Sequence, residues 1–295
     1  MQFGVMTLQL EKLIPADAAP QAVMSALGAF DHARLAQGLL DVGLNPIELS
    51  GDLCLFLPQA YTPQAIAGLM ALKEKGARFS VHLPLWSVEP STPLSPVREG
   101  SVKAMVDVIL ATKALQPEAY VLHATGALAA EFYNMKLPDL AKSILLKQFQ
   151  AAASASIQQI LAQTGIDSRR LAVETIEFPL DLTLELVEQH DLSVCLDVGH
   201  VMAGFCGWYD LFDVLERVLP RLAEVHLHDC KQMPEGTRGY GEDHKPLGTA
   251  DLPLGRLLDR LHSANFTGPI IMELNLSEAL HSLQVIRAAR PQYLP

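Results

Sequence analysis

Residues 193–200, SVCLDVGH, decide how the chain is read: a short apolar run, Ser193-Val194-Cys195-Leu196, stops on Asp197, and His200 follows three residues later. Such a run suits a buried strand, and a buried carboxylate or imidazole is costly unless it is paired or binds a metal. The same form recurs on both sides. Upstream lie FSVHLP (79–84), YVLHATG (120–126) and LAVETIE (171–177), and downstream lie AEVHLHD (223–229) and IIMELN (270–275). Runs that each end on a metal-binding side chain point to one polar cavity. Its candidate ligands are His82, His123, Glu174, Asp197, His200, His226 and Glu273, with Glu242 and His244 added from the segment between the last two runs.

Working outward, β-type runs alternate with helical periods. Strands are expected near Phe3–Leu8, Pro46–Ser50, Arg78–Leu83, Ala119–His123, Leu171–Thr175, Ser193–Asp197, Ala223–Leu227 and Pro269–Glu273. Helices are expected near 31–42, 63–75, 97–115, 138–164, 179–190, 208–218, 254–264 and 277–290. The alternation predicts an α/β fold, a single (β/α)8 TIM barrel over residues 1–295 with the metal site at the C-terminal ends of the strands. An open doubly wound sheet would not need so many strands to end in a ligand. No linker or shift in composition marks a second domain. The chain has 295 residues, enough for a barrel of roughly 250 residues with added loops. Three long connections fall on the ligand face: Trp86–Val97, Ala124–Leu137 and Cys230–Pro253. They are expected to enclose the substrate.

Composition excludes several classes of function. The net charge is −11, from 33 acidic and 22 basic residues, and no helix carries a run of Lys or Arg, so duplex DNA is not the expected partner. A small-molecule substrate is. No apolar run approaches the ~18 residues of a membrane span, and the N-terminus reads as a first strand rather than a signal peptide, so the expected location is the cytoplasm. Cys54, Cys195, Cys206 and Cys230 lack the spacing of a thiol metal site and are read as reduced. His32, His190, His262 and His281 fall on helices and are read as surface or capping residues. Trp86 and Trp208 are read first as packing residues, although Trp86 opens a pocket loop. Lys136, Lys231, Arg238 and Lys245 are the cations placed to contact a substrate phosphate.

These residues resemble a known family. The chain is similar to the xylose-isomerase-like barrels, and within them to apurinic/apyrimidinic endonucleases of the endonuclease IV type, phosphodiesterases that carry three zinc ions. The resemblance covers residues 78–273. It implies a first metal on His82, His123 and Glu174, and a second sharing Glu174 and adding Asp197, His226 and Glu273. It implies a third on His200, Glu242 and His244, with Glu242 standing where the family has Asp. His228 stands where the family carries Asn. Two residues after His226, it either supports the ligands together with Asp229 or is structural.

The chemistry expected from this set is metal-dependent hydrolysis of a phosphodiester in a small-molecule or nucleotide-like substrate. Two or three divalent ions, zinc, manganese or iron, would generate a hydroxide nucleophile, and Glu174 and Glu273 are the catalytic candidates. Cobamide-remodelling phosphodiesterases, which cut the nucleotide loop of corrinoids, are among the similar barrels. Two alternatives keep the same strand ends: repair of abasic DNA, and sugar isomerisation or epimerisation. In the last, Glu174, Asp197, His226 and Glu273 hold one ion and the two glutamates move protons. Epimerases of this fold place an Arg six residues after the ligand His, where this chain has Gln232.

Overall fold

A computed structural model describes residues 1–9, 19–233 and 239–294. Ten strands are present among them: β1 (Phe3–Met6), β2 (Ile47–Ser50), β3 (Phe79–His82), β4 (Tyr120–Leu122), β5 (Leu171–Glu174), β6 (Ser193–Asp197), β7 (Leu222–His226), β8 (Asp229–Lys231), β9 (Glu242–Lys245) and β10 (Ile270–Met272). All but β8 and β9 close into a barrel of order β1-β10-β7-β6-β5-β4-β3-β2. Each neighbouring pair in the barrel is parallel, including the seam where Phe3 lies beside Ile270 and Val5 beside Met272. This is the expected (β/α)8 architecture.

The helices in chain order are α1 (Pro20–Gly28), α2 (His32–Leu40), α3 (Leu53–Phe56), α4 (Pro63–Glu74), α5 (Ser95–Thr112) and α6 (Ala127–Asn134). They continue with α7 (Asp139–Thr164), α8 (Leu180–Gln189), α9 (Val198–Ala203), α10 (Leu211–Val218), α11 (Leu254–Ser263) and α12 (Leu276–Ala289). None of the described helices is long and apolar enough to cross a membrane. Sequence periodicity misses α1, α3, α6 and α9. The first buries none of its residues, so it carries no apolar stripe, and only Pro20 at its start and its good helix formers mark it. The helix α6 lies inside the expected loop 124–137, and the hairpin β8–β9 inside the expected loop 230–253.

Alternation along the strands separates two environments. On β5, Leu171 and Val173 join the apolar layer under the helices, whereas Ala172 packs in the lumen with Ala119, Val121 and Cys195. Small side chains therefore fill the lumen along β4, β5 and β6. The upper lumen receives the residues two positions further on: Glu174 after Ala172, Asp197 after Cys195, His226 after Glu224. At the opposite end Arg78 is bonded through Nε and Nη2 to both Glu118 oxygens at 2.5 Å and to Thr267 O at 2.9 Å, tying the start of β3 to the segments that lead into β4 and β10.

His32 departs from the surface role expected of it. It begins α2 but is 1% exposed, with Nδ1 3.1 Å from Ala60 O and its ring between Phe30 and Tyr61. Burial pushes its pKa down from 6.5 to about 4, against smaller opposing effects of the Ala60 carbonyl and Asp31. The imidazole is thus neutral in the folded state at pH values where the unfolded chain would protonate it. Its contribution to stability is complete above pH 6.5 and is lost as pH falls toward 4. Wild type should lose roughly 2 kcal/mol between pH 7 and pH 5 that a His32→Leu variant keeps, read as the difference between their urea-unfolding free energies. Identical pH slopes for the two proteins would show that His32 does not titrate in this way.

Candidate active site

Five strand ends supply the centre of the site. His82 ends β3, Glu174 ends β5, Asp197 ends β6, His226 ends β7, and Glu273 follows β10 directly. His123 follows β4 in the same way. Parallel pairing, with Glu174 beside Cys195, two residues before Asp197, and Asp197 beside His226, brings these side chains to one end of the lumen. The donor atoms of Glu174, Asp197, His226 and Glu273 lie within 4.8 Å of one another, as do those of His82, His123 and Glu174.

Glu174 is the hub. Its Oε2 is 3.2 Å from His82 Nε2 and 2.9 Å from His123 Nε2. Its Oε1 has no hydrogen-bond partner, although His200 Nδ1 and His226 Nδ1 stand 3.3 and 3.4 Å away. Burial pushes the carboxyl up, but His123, His226 and His200 outweigh it and hold Glu174 well below the usual carboxylate range. Glu273 is held low in the same way, chiefly by His226 and His244 against its burial. Burial opposes charge on His82 too, yet the bonded Glu174 with Glu48 and Glu273 raises it to about 9.

Residues beyond the strand ends divide into those that reach the centre and those that do not. His200, in α9, turns Nδ1 to Thr175 O at 3.1 Å and Nε2 to Asp243 Oδ2 at 3.5 Å. His244 sits at the rim, with Nδ1 2.9 Å from Asp243 Oδ2 and Nε2 3.4 Å from Glu273 Oε2. Glu242 does not join them: its side chain is 71% exposed and pairs with Lys245 at 2.9 Å. Asp243 occupies the place expected of Glu242. The cause is the hairpin, whose register shifts between Asp229 and Lys231, so the Asp-x-His spacing does not carry over. Lys245 is spent on Glu242, Lys136 is exposed and lines neither cavity over the site, and Arg238 lies outside the described residues.

His228 answers the question its position raised. Its Nε2 is 2.9 Å from Asp197 Oδ2, and its Nδ1 accepts the backbone N–H of His244 at 2.9 Å. An Nδ1 that accepts must be unprotonated, so the hydrogen is on Nε2 and is donated to Asp197. Both nitrogens are therefore used, and His228 orients Asp197 although its donor atom lies within 4.8 Å of those of His200 and His244. Its ring stacks on His244 at 4.2 Å between centroids. Gly199 makes the room, since a Cβ there would come 2.0 Å from His228 Cε1. Asp229 faces elsewhere and accepts five backbone N–H groups, from Cys230, Gly248, Thr249, Ala250 and Leu252, which fixes the loop after β9.

Glu48 was not anticipated. It is the inward residue of β2, fully buried, with neither oxygen hydrogen-bonded and Oε1 3.4 Å from His226 Nε2. Beside it, burial and then Glu48 itself push the carboxyl of Glu224 well above the usual range, and Ser80 Oγ lies 2.7 Å from Glu224 Oε1. The signal was available in Ile47-Glu48-Leu49, an acid in an apolar run, but the run ends two residues later on Ser50 rather than on a ligand.

Whether the residues fit a metal is answered by the atoms left over. Glu174 Oε1 and both nitrogens of His226 are buried without hydrogen-bond partners; Oε1 and His226 Nδ1 stand 3.4 Å apart in the group completed by Asp197 and Glu273, while Nε2 faces Glu48. Buried polar atoms are rarely left so, and one imidazole among three carboxylates suits a divalent ion.

The fold is shared with solved structures of low sequence identity. A D-tagatose 3-epimerase-like protein is 19% identical, with 99% of this chain and 98% of that one covered and a TM-score of 0.69. The 3-keto-D-glucoside 4-epimerase of E. coli is 16% identical, with coverage of 98% and 99% and a TM-score of 0.67. The D-psicose 3-epimerase of Clostridium cellulolyticum H10 is 14% identical, with coverage of 98% and 99% and a TM-score of 0.66. No curated protein matches the sequence. These three are described as sugar epimerases or epimerase-like and none as an endonuclease IV-type enzyme, and this corrects the expectation of a phosphodiester hydrolase. A family described as "Xylose isomerase-like TIM barrel" matches residues 38–289, and the chain belongs to that family.

Proposed function

We propose that this protein is a metal-dependent isomerase or epimerase of a sugar, moving a proton at the carbon beside a carbonyl. The observation that carries the reading is the group of Glu174, Asp197, His226 and Glu273, where two glutamates face one imidazole nitrogen, His226 Nδ1, at 3.4 Å each. The epimerase neighbours support it as an analogy of fold.

These four residues would hold the ion, which when bound supplies Lewis acidity toward carbonyl and alcohol oxygens. Glu174 and Glu273 carry the proton. They stand on β5 and after β10, separated in the barrel by β6 and β7, so they approach a substrate from different directions. His82 and His123 bind Oε2 of Glu174 and leave Oε1 toward the centre. The surrounding imidazoles keep both glutamates ionised, the form in which a carboxylate can act as a base. His228 orients Asp197, and Glu48 stands ready to accept the Nε2 hydrogen of His226, which leaves Nδ1 as the donor atom.

A second reading of the metal content rests on His82 and His123, which with Glu174 form a further three-donor group and would add an ion bridged by Glu174. Metal analysis separates the two. With one ion, the purified protein holds about one equivalent, lost in Asp197→Asn and kept in His82→Ala. With two, it holds about two, and His82→Ala keeps one.

Proton transfer is tested in deuterium oxide. Manganese-reconstituted protein should place deuterium at the carbon beside the carbonyl of a ketohexose or a keto-glycoside, read by NMR, and Glu174→Gln or Glu273→Gln should slow this by about 10²–10⁴-fold. Absence of exchange from every keto sugar tried, with metal content full, would sink the reading.

The role of Glu48 can be measured without turnover. Glu48→Gln should weaken metal affinity about 10–100-fold in a chelator competition while circular dichroism stays that of wild type. Unchanged affinity would leave Glu48 without a part in the site.

A further inference from the structure

Two cavities open over the site, about 470 and 330 Å³ in volume, and they share Leu85, Trp86, His123 and His200. The first contains Glu174 and Glu273, where the proposed chemistry takes place. The second contains neither, and Trp86, Val88, Pro90, Ile176 and Phe205 form much of its wall. We propose that this second cavity is a subsite for an apolar ring, so that the substrate is an uncharged sugar joined to an aromatic or similarly flat group. The proposal rests on the isomerase or epimerase reading for the sugar half and on the shape and lining of the cavity for the other.

Three features favour that occupant over a larger free sugar or a phosphorylated one. A polyol placed against Val88, Pro90 and Ile176 would give up water on its hydroxyls with few groups to replace it, whereas an apolar ring gains by leaving water. The polar lining is already partly committed: Glu177 Oε1 accepts from Asn134 Nδ2 at 2.6 Å. Among the described residues no Lys or Arg lines either cavity, and the imidazoles of the first, His82, His200 and His244, are already paired with Glu174, Asp243 and Glu273, so a phosphate would have to compete with those carboxylates.

Trp86 has the attributes of a binding platform. It is 50% exposed, and its backbone is fixed because the Asp52 carboxylate accepts the N–H groups of Leu85 and Trp86 at 3.2 Å. Phe56, also exposed, meets its ring edge-on at 6.4 Å. An exposed indole held at the junction of two cavities presents a flat apolar face to both.

Binding is measured by fluorescence on zinc-loaded Trp208→Phe protein, in which Trp86 is the remaining tryptophan of the two in the chain. The probes are phenyl β-D-glucopyranoside, methyl β-D-glucopyranoside and D-glucose 6-phosphate. The phenyl glucoside should perturb Trp86 emission and bind at least tenfold more tightly than the methyl glucoside, with the 6-phosphate weakest. Ile176→Asp should remove the phenyl preference. Equal binding of the two glucosides, or tighter binding of the 6-phosphate, overturns the proposal. The deuterium-exchange assay keeps the two readings apart. Exchange without a phenyl preference refutes the subsite alone, and a phenyl preference without exchange supports the subsite and refutes the proton-transfer chemistry.

Discussion

The site depends on keeping Glu174 ionised where water does not reach. At 1% exposure its carboxylate would be driven toward the neutral form, and His82, His123, His200 and His226 reverse that by surrounding both of its oxygens at 2.9 to 3.4 Å. The compensation is mutual, because the same carboxylate helps to hold a charge on His82, and Asp197 together with Glu174 holds one on His200, each raised to about 9 against its burial. Removing one partner from such a set leaves the others buried and unpaired, which costs more than the pair contributes. A divalent cation entering among Glu174, Asp197, His226 and Glu273 would displace protons from a network already organised around positive charge.

The barrel makes this arrangement possible by separating two tasks along each strand. Outward residues such as Val173, Val194, Leu196 and Val225 pack under the helices, while inward residues pass from small side chains low in the lumen to ligands at the top. Loops then finish what the strands begin. Asp197 accepts the His200 N–H at the start of α9, His228 bonds Asp197 from the turn after β7, and Asp229 gathers five N–H groups of the segments around it. The helix start and the turn after β7 thus hold the Asp197 carboxylate in one orientation. The apolar second cavity lies outside this rigid centre, where specificity can vary without disturbing the charge balance.

Much of the centre was legible in the chain. A strand that ends on an acid or imidazole is a local pattern, and its repetition in FSVHLP, YVLHATG, LAVETIE, SVCLDVGH, AEVHLHD and IIMELN is what a parallel barrel imposes when its strand ends line one cavity. Where the pattern was not local, reading failed. Glu242 and Asp243 are adjacent, and a register shift in a two-stranded hairpin decides which of them faces His200 and His244. His32 lies on a helix like His262 and His281, yet the packing of Phe30, Tyr61 and Ala60 buries it while the other two stay exposed. The resemblance to endonuclease IV-type enzymes had the same weakness, because a ligand order along a chain is common to barrels of different chemistry.

The sequence by itself determined the eight-fold alternation of strand and helix, the closed parallel barrel, and the strand-end residues that meet at its mouth. These follow from periodicity and from the cost of burying polar groups, both of which act within a few residues. Only the tertiary structure decided that Glu48 faces His226 from β2, that His228 spends both nitrogens on Asp197 and the backbone, and that Trp86 stands between two cavities. Those placements join residues far apart in the chain, as Glu48 to His226 and Asp197 to His228, and bring Trp86 to the same cavity as Glu273. Separations of that size are set by how the strands close and by which way each side chain then points, and neither leaves a mark on the local order of residues.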